Sequence, residues 1–102
     1  MLINVVENIP AYVAAEIAGD INEKAREDAH GVLENMVKAA GVKADVEVRS
    51  GSPATAILAA AEEEGADLII VASHQPGLQD YLLGSTAGRV VRHATCSVLV
   101  VR

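Results

Sequence analysis

The sequence predicts an α/β protein, a mainly parallel sheet with helices on both faces, and three observations carry that prediction. Short β-branched runs alternate along the chain with segments of helical periodicity, in the order strand, helix, strand, helix, strand, helix, strand. Two of the short runs are apolar on both faces, which is the mark of parallel strands and not of an alternating surface sheet. The side-chain supply fits thin layers: of 102 residues, 18 are Ala and 14 are Val, with two Tyr and no Phe or Trp. A β-sandwich needs larger core side chains and more frequent turns. Ile, Leu and Val together make up 29 residues, enough apolar surface for one globular domain over residues 1–102.

Each element has its own local reason. Leu2 to Val6 is apolar apart from Asn4 and reads as a buried interior strand near 2–6. Pro10 to Gly19 is ambiguous between an irregular connection and a short helical piece. Asp20 followed by Glu23 resembles a capping box, and Ala25, Ala29, Val32, Leu33, Met36, Val37 and Ala40 continue at helical spacing to Gly41, giving a helix near 21–40. Strict alternation in Asp45-Val46-Glu47-Val48-Arg49 predicts an edge or half-exposed strand over 45–49. Ser52 and Pro53 open a second helix, 53–64, which Gly65 stops. The β-branched run ending at Ala72 predicts a strand near 67–72 covered on both faces. A third helix near 85–93 and a strand near 97–101 complete the chain. Right-handed crossovers make the strands parallel, and ligands of such sheets sit beyond the carboxyl ends of the strands.

Composition removes several function classes. Fourteen acidic residues against eight basic give a net charge of -6, no footprint for a phosphate backbone or an anionic membrane. Nucleic-acid and membrane partners are therefore not expected. No apolar run is long enough to span a bilayer, and the start MLINVVEN has no secretory pattern, so a cytoplasmic protein is expected. The single cysteine, Cys96, reads as a small core residue. His30, His74 and His93 share no ligand spacing with one another or with Cys96, which points away from a metal site. His93 reads as the end of a helix, where positive charge suits the dipole, and Glu62-Glu63-Glu64 as a solvated helix end.

The chemistry concentrates after the strand at 67–72, in the segment from Ala72 to Thr86. Gly84-Ser85-Thr86 sets a glycine and two hydroxyls at the N-terminus of a helix, where free N–H groups and the dipole favour an anion such as phosphate. The plainer alternative is that Ser85 is only an N-cap and Gly84 only a turn. Asp80, His74 and Ser85 do not make a hydrolase triad, because no Gly-x-Ser-x-Gly elbow is present. Arg89 and Arg92 read as surface or dimer contacts.

From Gly51 to Arg102 the chain resembles the C-terminal half of a universal stress protein. The matching pieces are the Gly-Ser-Pro helix start, Ala-Asp-Leu-Ile-Ile-Val, Ser-His, Leu-Leu-Gly-Ser, and Val-Arg-His-Ala ahead of Ser-Val-Leu-Val-Val-Arg. Asn4-Val5-Val6-Glu7 resembles the end of that family's second strand, which extends the likeness through most of the chain. The resemblance implies a five-stranded parallel sheet in the order 3-2-1-4-5, dimerisation, and binding of ATP or AMP, with Mg2+ as an accompanying ion. It places phosphates on Gly84 and Ser85 with Thr86 beside them, and adenine toward Val5 and Val71. His74, by its position after the strand, reads either as a residue that approaches the ligand or as a structural part of the loop. The family's glycine pattern is Gly, two residues, Gly, nine residues, then Gly with Ser or Thr. Here Ala72 stands for the first glycine, the second has no clean equivalent, and the spacing from Ala72 to Gly84 is one residue short.

Family members begin with a strand and helix whose strand ends in an aspartate at the nucleotide. This sequence has neither and reads as an N-terminally truncated member. The strands at 2–6 and 67–72 are then expected to pair directly, to accept a segment from a partner, or to leave a gap. The function implied is a nucleotide-binding regulatory protein of the stress response, not an enzyme, a homodimer through its C-terminal strand. A ligand-free dimeric scaffold of the same fold is the alternative.

Overall fold

The structure, a computed structural model, describes residues 1–7, 20–73 and 83–101, with residues 20–22 described by their backbone alone. Its elements are β1 (Leu2–Val6), α1 (Asp20–Ala40), β2 (Val46–Ser50), α2 (Pro53–Glu64), β3 (Leu68–Ala72), α3 (Ser85–His93) and β4 (Ser97–Val101). Strand and helix alternate as the sequence predicts. Helix α1 begins one residue earlier than expected, taking in Asp20, and β2 lies one residue later than the predicted 45–49. Such shifts are the ordinary uncertainty of element ends, where the local signal is weakest. The ambiguous stretch from Pro10 to Gly19 lies outside the described residues.

The chain divides into two units, Met1–Pro53 and Ala54–Arg102. In the first, β1 and β2 pair in parallel with Leu2 opposite Val46 and Val6 opposite Ser50. Of the apolar positions on α1, Ala25, Ala29 and Val37 are half-buried and Leu33 is fully buried, a row spaced four residues apart. Val32 and Met36, one residue to the side, are exposed. Gly41 ends the helix with a φ of 69°, the left-handed turn that glycine adopts without a steric penalty. The expectation that β1 is a buried interior strand is corrected: it is half-buried throughout, with Asn4 exposed. It has one strand neighbour in a two-stranded sheet, too little cover to exclude solvent.

In the second unit, β3 and β4 pair in parallel with Ile69 opposite Val98 and Val71 opposite Val100. Ala54 of α2, Ile69 of β3 and Val90 of α3 form the buried core, with Ile57, Leu58, Ala61, Ala94, Cys96 and Val98 packed around them. Cys96 is half-buried there, the small packing residue its surroundings in sequence predict. Ala60 and Ala87 are also buried, so each helix turns alanines inward and the layers stay thin. Gly65 stops α2 with a φ of 63°, and the Ala66 N–H closes the turn on the Ala61 carbonyl at 2.9 Å.

The prediction that β3 is covered on both faces is also corrected. Ile69 is buried, while Leu68 and Ile70 are 47% and 63% exposed, and Leu99, opposite Ile70, is 49% exposed. One face of the β3–β4 sheet packs on α2 and α3, and the other carries apolar side chains in the open. An apolar run in sequence records what a strand can bury, not whether a second layer is supplied. Among the described residues the strands thus form two two-stranded parallel sheets, β1–β2 and β3–β4.

Candidate anion site at the start of α3

The carboxyl end of β3 leads into the expected site. The Ser73 N–H donates to the Val101 carbonyl at 2.7 Å, which extends the β3–β4 ladder by one bond, and Ser73 itself is 9% exposed. Its carbonyl accepts the Gly84 N–H at 2.6 Å. That bond brings the first residue of the α3 cap to the end of β3, although ten residues separate them in sequence. The two residues meet where the sequence places the site, beyond the carboxyl end of a parallel strand.

Gly84 is the N-cap of α3, with extended backbone at φ -60° and ψ 155°, and its carbonyl accepts the Gly88 N–H at 2.8 Å. Ser85 is therefore the first helical residue. The reading of Ser85 as the N-cap is corrected: the N-cap is Gly84, which has no side chain to cap with. The first N–H groups of a helix point along its axis, where an anion can accept from them.

Gly84, Ser85, Gly88, Arg89 and Arg92 line a hollow of about 290 Å³, with Leu83 at its edge. Ser85, Arg89 and Arg92 recur at intervals of four and three along α3, so one face of the helix carries the hydroxyl and both guanidiniums. Both arginines read from sequence as surface or dimer contacts, and both are exposed; helical periodicity sets them on the face that also carries Ser85. Thr86, the next residue of α3, is half-buried and is not part of the described lining.

The other expected site residues fall as follows. Val71 is half-buried in β3 opposite Val100, and Ala72 is exposed opposite Val101 at the strand end leading to Ser73. Val5 belongs to the first unit, opposite Arg49 of β2. His74 lies outside the described residues. His93 stands with Arg92 in the last turn of α3, as predicted, and His30 pairs with Glu34 at 3.3 Å on the exposed side of α1. A larger hollow of about 560 Å³, with Ile69, His93 and Cys96 in its lining, lies at the amino ends of β3 and β4. That is the opposite end from the one where ligands of parallel sheets bind.

Among the described residues, no group of three or more His, Cys, Asp or Glu is placed to hold a metal ion, and no helix is long and apolar enough to cross a membrane.

Comparison with known proteins supplies the remaining findings. The family described as the universal stress protein family matches residues 1–102. Universal stress protein MJ0531 of Methanocaldococcus jannaschii is 36% identical over 95 residues, which cover 92% of this chain and 56% of that protein. Universal stress protein YxiE of Bacillus subtilis is 36% identical over 95 residues, covering 89% of this chain and 64% of its own length. The chain thus spans about three fifths of these relatives. The solved structure of hypothetical protein MJ0577 superposes with a TM-score of 0.82 at 32% identity, covering 98% of this chain and 72% of that one.

Proposed function

This chain belongs to the universal stress protein family, and from that membership we propose that it is an adenine-nucleotide-binding regulatory protein whose phosphate subsite is the start of α3. The observation that carries the reading is the hollow shared by Gly84, Ser85, Arg89 and Arg92. The helix start supplies oriented N–H groups, Ser85 a hydroxyl, and the arginines two planar, permanently charged donors suited to phosphate oxygens. The residues fit the phosphate end of ATP or AMP, with Thr86 adjoining and Val71 and Ala72 on the approach from β3; His74, the other residue expected there, lies outside the described residues. In this subsite a Mg2+ ion accompanying the nucleotide finds the Ser85 hydroxyl as the one oxygen-bearing side chain of the described lining. The expected output is occupancy that alters a partner's response, in the setting of stress, and not turnover.

The test is a thermal-shift series with ATP, ADP and AMP, since a ligand that binds only the folded state raises its apparent stability. A concentration-dependent rise is expected with at least one of them. Ser85→Ala removes a hydroxyl and Gly84→Val crowds the N-cap; both are expected to lower nucleotide affinity, Gly84→Val more. Unchanged affinity in both variants overturns the subsite.

The homodimer follows from β4. Because the Val101 carbonyl accepts from Ser73, the odd-numbered residues of β4 turn their N–H and C=O groups toward β3. Alternation then directs those of Val98 and Val100 to the other edge, where self-pairing about a two-fold axis satisfies them. Sedimentation equilibrium over a wide concentration range is expected to show a monomer–dimer equilibrium. A folded monomer at every concentration overturns the dimer and leaves the nucleotide subsite standing.

A further inference from the structure

We propose that the outer edge of β2 and the neighbouring face of α1 form a docking groove for an extended, basic peptide segment of a partner protein, which adds to the sheet as a third strand. This site lies in the first unit and is independent of the anion site on α3.

The backbone sets the edge. The Leu2 N–H donates to the Asp45 carbonyl at 2.7 Å, and the Gly51 N–H donates to the Val6 carbonyl at 3.0 Å. Odd-numbered residues of β2 therefore face β1. Val46, Val48 and Ser50 direct their N–H and C=O groups the other way, and among the described residues β1 is the strand partner of β2 in a two-stranded sheet. An edge of this kind is a template for a further strand.

A hollow of about 670 Å³ runs beside that edge. Val46, Glu47 and Val48 all line it, and since successive strand side chains alternate between faces, a space touching all three follows the strand's edge. Its other wall is Glu23, Arg26, Glu27 and His30 of α1, spaced three, four and seven residues from Glu23 and so forming one stripe of the helix. An edge strand facing a helix is the geometry in which main-chain bonds give affinity and the helix selects alternate side chains.

Charge selects the occupant. His30 is held by Glu34 at 3.3 Å, and Glu47 by Arg49 at 3.1 Å. Among the described residues neither Glu23 nor Glu27 takes part in a salt bridge. They stand one turn apart, where like charges repel along a helix. Lysine or arginine side chains on the α1-facing side of an added strand relieve that repulsion, and Arg26 disfavours an acidic segment. Charges on an edge strand usually discourage pairing; here the outward-directed backbone belongs to two valines, and the charged residues of β2 pair with each other.

The experiment titrates the full chain with the peptide acetyl-Lys-Val-Lys-Val-Lys-Val-Lys-amide at two salt concentrations and follows backbone amide shifts. Shifts are expected at Val46 to Ser50 and along residues 23 to 30. Methylating alternate peptide nitrogens is expected to weaken binding at least tenfold, as is the double change Glu23→Lys with Glu27→Lys. Glu62→Lys with Glu64→Lys, an equal charge change in the second unit, is expected to leave affinity unchanged. Equal binding of the methylated peptide, or equally tight binding of spermine, which carries the same four charges, assigns the site to charge alone and overturns strand addition. Shifts centred elsewhere overturn the groove.

Discussion

Replacing Val90 by Asp is expected to unfold the second unit. Val90 is 0% exposed and meets Ala54 of α2 and Ile69 of β3 at the centre of the core. Removing its buried surface costs about 1.5–3 kcal/mol, and an unpaired carboxylate in an apolar site adds several kcal/mol more or forces itself to protonate. A unit of this size has little stability to lose. Hydrogen exchange distinguishes a local from a general effect: protection is expected to vanish at the β3 and β4 amides. Val91→Asp, at a neighbouring position 46% exposed on the same helix, is expected to change stability by less than about 1 kcal/mol. A Val90→Asp variant melting at the wild-type temperature contradicts the packing described.

Reversing both arginines of the proposed anion site, Arg89→Glu with Arg92→Glu, is expected to lower ATP affinity by roughly 10- to 100-fold, as charge-assisted hydrogen bonds to phosphate are lost and repulsion replaces them. Both side chains are exposed on α3, so the fold tolerates the change. Arg92 also stands in the last turn, where its charge favours the dipole, and its loss there costs about 0.3–1 kcal/mol of helix stability. The effect is expected to fall from ATP to AMP and to vanish for adenosine, which has no phosphate. Isothermal titration with the three ligands checks this order. Equal ATP affinity in wild type and variant removes the arginines from the site.

Much of the site was legible because its signals are local. Gly84-Ser85-Thr86 could be read as a helix start after a buried strand from neighbouring residues alone. Arg89 and Arg92 read in sequence as surface or dimer contacts, because a surface arginine has no direction until the helix phase is anchored by what lies inward. Ala87 and Val90 supply that anchor: both are buried, which turns Ser85, Arg89 and Arg92 outward on a shared face. The cap was misassigned for a related reason. Ser is the better N-cap by chemistry, but the bond from Gly84 to Ser73 starts the helix one residue earlier than that preference alone implies.

The sequence by itself determined the order of the elements, their parallel sense, the helix stops at Gly41 and Gly65, and the small-residue packing of α2 and α3. These follow from periodicity, capping and side-chain volume, which act within a few residues. The tertiary structure alone decided which strands are partners, that they form two pairs, and that Leu68, Ile70 and Leu99 remain exposed on an apolar face. It also decided which edge of β2 is open, through hydrogen bonds between residues more than forty positions apart. Apolar character states a tendency to be buried; whether it is satisfied depends on a layer contributed from elsewhere in the fold, and no local pattern encodes that.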